Sequence, residues 1–261
     1  MTFFYKDIPV GFSDTGAGPA VLLLHGFLEN QLMWQPFIPV LAHKKQRVIT
    51  IDLLGHGKSG CVGYVHTMEE HAQMVKALLD YLKLRKTILI GHSMGGYVAL
   101  AFAELYPEAV KGIMLVNSTT TEDNLERKEN RDRAIIAVKQ NHTTFIKMAV
   151  GNLFSSKNRE KLQVRIQQMQ LEALKTPLQG IIASLEGMKV RKDRGGVLKK
   201  RTFPACIVLG EEDEILPIAP ALSTAKELNL EIMVLPDGHM SFIENEADLL
   251  EAIQHFLRLA R

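Results

Sequence analysis

One pentapeptide constrains this chain more than any other stretch. Gly91-His92-Ser93-Met94-Gly95 follows the apolar run Thr87 to Ile90 and opens a helical segment, Ser93 to Tyr106, that stops before Pro107. A serine placed on so sharp a strand-to-helix turn has a strained backbone. Side chains two residues to either side of it would collide, which is why Gly91 and Gly95 flank it. Gly96 and Ala99 let the helix lie close against the strand layer. The turn holds the Ser93 hydroxyl out at the C-terminal edge of a sheet, with a helix N-terminus behind it that favours negative charge. A glycine-rich turn without chemistry would need none of the partners described below.

The rest of the chain supplies that sheet. Ala20 to Leu24, Val48 to Ile51, Thr87 to Ile90, Ile113 to Val116, Ala205 to Leu209 and Ile232 to Leu235 are short, continuously apolar runs. Continuous apolarity predicts strands covered on both faces, as in a parallel sheet. Helix-length segments lie between them. Thr67-Met68-Glu69-Glu70 is a capping box opening a helix towards Leu84. Alternating strands and helices predict an α/β fold, a mostly parallel central sheet with helices on both faces. From Thr119 to Arg201 this rhythm breaks. Leu162, Ile166, Met169 and Ala173 recur at helical spacing, as do Leu178, Ile181, Ile182, Leu185 and Met188, and Thr176-Pro177-Leu178-Gln179 reads as a helix start with Thr176 as its cap. The expected organisation is a core of residues 1–118 and 202–261 with a helical cap, residues 119–201, inserted into it.

A serine hydroxyl needs a base, and the base needs an acid to orient it. Asp213 lies in the loop Gly210 to Pro217 after one strand-like run, and His239 follows Gly238 after another, so both are expected at the sheet edge that carries Ser93. The order Ser93, Asp213, His239 suits a nucleophile on such a turn. Glu211, Glu212 and Glu214 are neighbouring acids that compete with Asp213, whereas Asn117, at the end of the preceding strand, cannot ionise. The backbone amides of Phe27, in His25-Gly26-Phe27, and of Met94 are the expected donors to a developing oxyanion. His25 is expected to be a bonded structural residue of its turn rather than the base. Phe27, Trp34, His92 and Met148 are expected around the substrate pocket, and Met169 and Met188 offer further flexible lining. No H-x-H or H-x-x-x-H pair suggests a metal, Gly16-Ala17-Gly18 precedes its strand and cannot cradle phosphate, and no cofactor is expected.

Taken together, His25-Gly26-Phe27, Trp34, Asp52-Leu53-Leu54-Gly55-His56-Gly57-Lys58-Ser59, the Ser93 turn, Gly210 to Pro217 and Gly238-His239 resemble the α/β-hydrolase superfamily over nearly the whole chain. They look most like its capped members, carboxylesterases, 3-oxoadipate enol-lactonase and cofactor-free haloperoxidases. The resemblance implies the α/β-hydrolase fold and hydrolysis of an ester of a small molecule through an acyl-serine. Thioesterase, enol-lactonase, C–C hydrolase and lyase chemistry remain open on the same triad, as does a small-ligand receptor with a slow triad. Leu54 stands where proline is frequent. Ser93, where dehalogenases and epoxide hydrolases carry aspartate, argues against both.

Composition narrows the partners. Of 261 residues 46% are hydrophobic and 23% charged, which excludes a mostly disordered chain. No apolar run approaches the roughly 20 residues of a membrane span, and Met1 to Asp7 lacks the pattern of a signal peptide, so a cytoplasmic protein is expected. Neither a membrane nor a nucleic-acid partner is expected. The net charge of +2 is an average: residues 119–201 hold 18 Lys and Arg against 9 Asp and Glu, +9, over a core of −7. Most of these charges are expected on solvated helix faces, while Arg127, Arg131 or Arg191 are candidates to draw in an anionic substrate.

Overall fold

The computed structural model describes residues 1–260. The strands are β1 (Thr2–Tyr5), β2 (Ile8–Gly16), β3 (Ala20–Leu24), β4 (Arg47–Ile51), β5 (Thr87–His92), β6 (Val110–Val116), β7 (Ala205–Gly210) and β8 (Glu231–Leu235). They form one sheet in the order β1-β2-β4-β3-β5-β6-β7-β8. β1 and β2 pair antiparallel, β2 joins β4 antiparallel, and every later pairing is parallel. All six apolar runs are strands. β3 and β5, at the sheet centre, are buried at every residue. β8 departs from the expectation of burial on both faces: it is the outermost strand, Ile232 and Met233 are only partly covered and Val234 is 46% exposed.

β1 and β2 are two strands that the search for continuous apolar runs does not find. β1 alternates, with Phe3 buried and Phe4 exposed, and β2 contains Pro9 and Gly11. Both are tolerated near a sheet edge. Lys6 and Asp7, both at positive φ, make the two-residue turn that joins them.

The helices follow as α1 (Ile38–His43), α2 (Met68–Tyr81), α3 (Met94–Leu105), α4 (Leu125–Gln140), α5 (His142–Gly151), α6 (Gln163–Ala173), α7 (Leu178–Lys189), α8 (Gly195–Lys199), α9 (Ile218–Glu227), α10 (Ser241–Glu244) and α11 (Glu246–Leu259). Thr67 caps α2 by accepting from the Glu70 amide at 3.1 Å. Only half of the capping box forms, because the Glu70 carboxylate turns instead to the Tyr5 hydroxyl and the Lys6 ammonium of the β1 hairpin. α2 ends three residues before Leu84, where Lys83 adopts the left-handed conformation that terminates helices. α7 begins one residue later than its cap pattern suggests: Pro177 is the cap residue, and the Thr176 hydroxyl caps nothing.

Residues 119–201 contain α4 to α8 and, among the described residues, no strand. α7 sits on the loop before α2 through the His66 amide, which donates to the Ala183 carbonyl at 2.9 Å. The pleat register then fixes where chemistry can occur. Leu24 pairs with Gly91, His92 with Val116 and Gly210 with Leu235, so β3, β5, β6, β7 and β8 end together, and the loops after them share one sheet edge. Among the described residues no helix is long and apolar enough to cross a membrane.

Candidate active site

Ser93 is the single residue between β5 and α3. Its backbone is held at φ 50° and ψ −115°, a conformation that L-residues rarely adopt. Its amide donates to the Val116 carbonyl at 2.9 Å and its carbonyl accepts from the Ser118 hydroxyl at 2.8 Å, so the neighbouring strand β6 holds the strain in place. A Cβ on Gly91 would lie 2.4 Å from the Gly95 carbonyl, and one on Gly95 would lie 2.5 Å from the Leu24 carbonyl. The two glycines are therefore required by contact, as the sequence pattern implies.

The sheet edge brings Ser93, His239 and Asp213 together. His239 Nε2 lies 2.9 Å from Ser93 Oγ, and His239 Nδ1 lies 2.7 Å from Asp213 Oδ2. Asp213 also accepts from the Ile215 amide at 2.9 Å, the Leu216 amide at 2.8 Å and the Asn117 side-chain amide at 3.2 Å. Burial alone would raise its pKa. The His239 ring and these donors outweigh burial and hold the carboxyl below the usual carboxylate range. A carboxylate at Oδ2 requires a proton on Nδ1, which leaves the Nε2 lone pair facing the serine hydroxyl. Glu212 and Glu214 are drawn away to Lys157 and Arg159. Asn117, read from sequence only as a residue that cannot ionise, has a further use. It also donates to the Gly238 carbonyl at 3.2 Å and accepts from the Ser241 hydroxyl at 2.6 Å, so it clamps both sides of the His239 turn.

Met94 follows Ser93 directly and Phe27 lies in the loop after β3, and among the described residues neither backbone amide finds a protein acceptor. The loop carrying Phe27 is fixed by its neighbours. His25 donates to the Gly26 carbonyl and accepts from the Leu53 amide at 2.8 Å, while His56 accepts from the Leu28 amide at 3.3 Å and donates to the Leu54 carbonyl at 3.0 Å. His25 is thus a buckle between the loops after β3 and β4. Glu244 accepts from Ser155 and Asn158 of the helical segment and from the Met240 amide, which ties that segment to the His239 turn.

Several expected pocket residues lie elsewhere. Trp34 is fully buried and packs edge-on against Phe37, so it is a core residue. Met148 is 62% exposed on α5 and faces solvent because the buried side of that helix is Ile146 and Val150. His92 is fully buried and packs edge-on against Phe242. Phe27 is partly exposed, with its ring against His56. A cavity of about 250 Å³ lies between the loop after β3 and α6, where Leu28, Met33, Met169, Phe242 and the buried Glu29 line it and Arg165 stands at its rim. Neither Ser93 nor His239 lines it. Met169 is therefore a cavity residue, while Met188 is buried. The three arginines proposed to attract substrate are also placed otherwise. Arg127, Arg131 and Arg191 all turn onto the buried Asp123. The signal missing from the sequence was Asp123, an acid next to Glu122 whose three partners lie four, eight and sixty-eight residues away.

A row of buried histidines makes the site sensitive to acid. Burial pushes His56 down to about 3 and His66 to about 4, and lowers His25 and His71 as well; nearby histidines add to the effect on His56 and His71. In the unfolded chain these groups take up protons near 6.5. Between about pH 6.5 and pH 4 the unfolded state therefore binds protons that the folded state refuses, and stability falls as pH falls, by up to about 1.4 kcal/mol per pH unit for each histidine. His92 has the opposite sign: its contribution is present at low pH and lost as pH rises through its raised pKa. The expected result is a Tm that drops steeply below pH 6.5 in calorimetric scans. A Tm unchanged between pH 7 and pH 4.5 contradicts it.

Comparison with known proteins agrees with this architecture. A family profile described as alpha/beta hydrolase fold matches residues 19–246. The dihydrolipoyllysine-residue acetyltransferase component of the acetoin cleaving system of Pseudomonas putida is 31% identical over 246 residues; the match covers 92% of this chain and only 64% of that protein's length. A 2-hydroxy-6-oxononadienedioate/2-hydroxy-6-oxononatrienedioate hydrolase of Paraburkholderia phymatum is 30% identical over 229 residues, 81% of this chain and 77% of the relative. Among solved structures, a thermophilic esterase from Thermogutta terrifontis with malate bound superposes with a TM-score of 0.91 at 32% identity, covering 99% of this chain and 97% of the esterase. The protein belongs to the alpha/beta hydrolase fold family.

Proposed function

We propose that the protein cleaves a carboxylic ester, or a closely related acyl bond, of a small molecule through an acyl-serine intermediate. The observation that carries this reading is the unbroken hydrogen-bond chain Asp213, His239, Ser93. His239 Nε2 takes the hydroxyl proton as Ser93 Oγ bonds to the carbonyl carbon, and the carbonyl electrons move onto oxygen. The Phe27 and Met94 amides hold that oxyanion. Asp213 stabilises the imidazolium and does not itself take the proton. On collapse His239 delivers the proton to the leaving alcohol, whose bond to carbon breaks. Water then adds to the acyl-serine, giving its proton to His239 Nε2, and the acid leaves as Ser93 recovers its hydrogen. Every step uses groups of this chain and of substrate or water.

The likeness to the Thermogutta esterase supports an ester over a thioester, lactone or C–C bond. We also propose that the substrate can be anionic. Support comes from the +9 excess on residues 119–201 acting as a distributed field, rather than from the three arginines bound to Asp123.

A panel of p-nitrophenyl esters, alkyl thioesters and lactones of graded acyl length, assayed at low and high salt, tests both statements. Esters are expected to turn over many times, with mass spectrometry trapping the acyl group on Ser93. Only carboxylate-bearing esters should lose kcat/KM with salt. Acylation without multiple turnover points instead to a receptor, and cleavage without any Ser93 adduct overturns the mechanism. Equal salt responses remove the anionic substrate.

A further inference from the structure

A second carboxylate–histidine pair stands behind the first. Glu29 and His92 are buried, with side chains 3% and 0% exposed. His92 Nδ1 lies 3.0 Å from Glu29 Oε2, and His92 Nε2 lies 2.9 Å from the main-chain carbonyl of His239. A carbonyl oxygen only accepts. Glu29 Oε2 also accepts the Gly26 amide, a bond that favours the carboxylate form, and a carboxylate only accepts. With Glu29 ionised, both ring nitrogens of His92 face acceptors and both carry protons. The arrangement is that of an imidazolium beside a carboxylate, with both side chains buried.

The groups facing His92 agree with that state. Besides Glu29 they are Asp213, His239 and His25, with the Phe242 ring edge-on at 5.4 Å and the His239 ring at 5.2 Å. Burial disfavours charge on both members of the pair. Mutual attraction and the hydrogen bonds outweigh it, so His92 is raised and Glu29 lowered. His25 is excluded as a second cation because its Nε2 accepts the Leu53 amide.

We propose that Glu29 and His92 form a standing ion pair whose task is to position the oxyanion donor and the general base together. One carboxylate oxygen fixes the Gly26 amide, one peptide before the Phe27 amide that receives the oxyanion. The imidazolium fixes the His239 carbonyl and with it the turn that aims Nε2 at Ser93. The two halves of the site lie on loops after β3 and β8, far apart in the sheet, and the pair joins them through a single side-chain link. Both are positioning residues, since neither touches the reacting atoms. This inference rests on the acyl-transfer reading above.

Glu29→Gln keeps the size of the side chain and removes its charge. In p-nitrophenyl butyrate hydrolysis it is expected to lower kcat about 10- to 100-fold while KM changes less than about twofold, because the geometry lost is that of the transition state rather than of the bound ester. His92→Gln should fall by a similar factor, and the double variant by little more than either alone. The charge state is read separately in the wild-type protein by long-range 1H–15N correlation at pH 7.5, with His92→Gln assigning the resonances. Both His92 ring nitrogens should appear protonated, whether or not the Glu29 variant folds. A singly protonated His92 ring overturns the proposal, as does a folded Glu29→Gln variant with wild-type kcat or with its loss confined to KM. Ser93→Ala serves as the control. If that variant keeps its turnover, the acyl-transfer reading has failed and not the ion pair, which the spectrum still decides.

Discussion

Ser93→Ala is expected to lower kcat for p-nitrophenyl butyrate by about 10^4- to 10^6-fold with little change in Tm. The substitution removes one oxygen whose hydrogen-bond partner is His239 Nε2 at 2.9 Å, and it leaves the turn intact, because the strained φ of 50° is held by Val116 and Ser118 through the main chain. The loss is large because nucleophile and base act as one unit: without the hydroxyl, His239 can still activate water but no covalent intermediate forms. His239→Ala should cost a similar factor for the same reason. Asp213→Asn should cost about 10^4-fold, since an amide at that position can donate to Nδ1 and turn the lone pair of the ring away from Ser93. Burst kinetics and steady-state turnover with the purified protein measure all three. A Ser93→Ala variant within tenfold of wild-type kcat would end the covalent mechanism.

How far the sequence reveals this protein depends on how local each constraint is. The Ser93 turn is legible because Gly91 and Gly95 are demanded by contacts within five residues and across one neighbouring strand. The sheet is legible where both faces are covered, as in β3 and β5. It fades where one face is open: β8 is found but is less covered than its apolar run implies, and β1, which alternates, is missed. Asp213 and His239 are legible by position, since each follows a strand whose end lies at the same edge. What is hidden depends on partners distant in sequence. Glu29 looks like a surface acid in a turn until β5 brings His92 within 3.0 Å. Met148 and Met169 both fall within the expected cap, and only packing decides that Met169 faces the cavity while Met148 faces solvent. The excess positive charge is correctly counted, yet its most suggestive arginines are consumed internally. No periodicity indicates that they converge on one aspartate.

Asp123→Ala should destabilise the protein by about 3–5 kcal/mol, the range for breaking a buried ion cluster by removing one partner. The Asp123 side chain is fully buried between the guanidinium groups of Arg131 and Arg191, with Arg127 at 3.4 Å. Burial opposes its ionisation, and the arginines outweigh burial, so its pKa is lowered. Arg191 is itself 3% exposed and bonds the Thr121 and Met188 carbonyls, and its guanidinium lies 4.1 Å from the centre of the Tyr97 ring on α3. The cluster therefore knots the start of the helical segment, near Thr121, to its end, near Met188, and seats both on the helix that begins after Ser93. Three to five kcal/mol in a chain of this size corresponds to a fall in Tm on the order of 10 °C. Removing Asp123 leaves buried cations without a counter-charge, and that, rather than lost attraction, is the dominant penalty. The distinction is measurable. Asp123→Leu combined with Arg131→Leu and Arg191→Met should regain much of the stability lost by Asp123→Ala, because replacing an entire buried ion cluster with apolar side chains is often neutral. Calorimetry on the single and triple variants separates the two accounts. A single variant within 1 kcal/mol of wild type would show that the cluster is solvated and no knot. A triple variant no more stable than the single one would mean that the charges themselves hold the segment to α3. In either state the small p-nitrophenyl acetate should still acylate Ser93, since none of the four residues touches the Asp213, His239 and Ser93 chain.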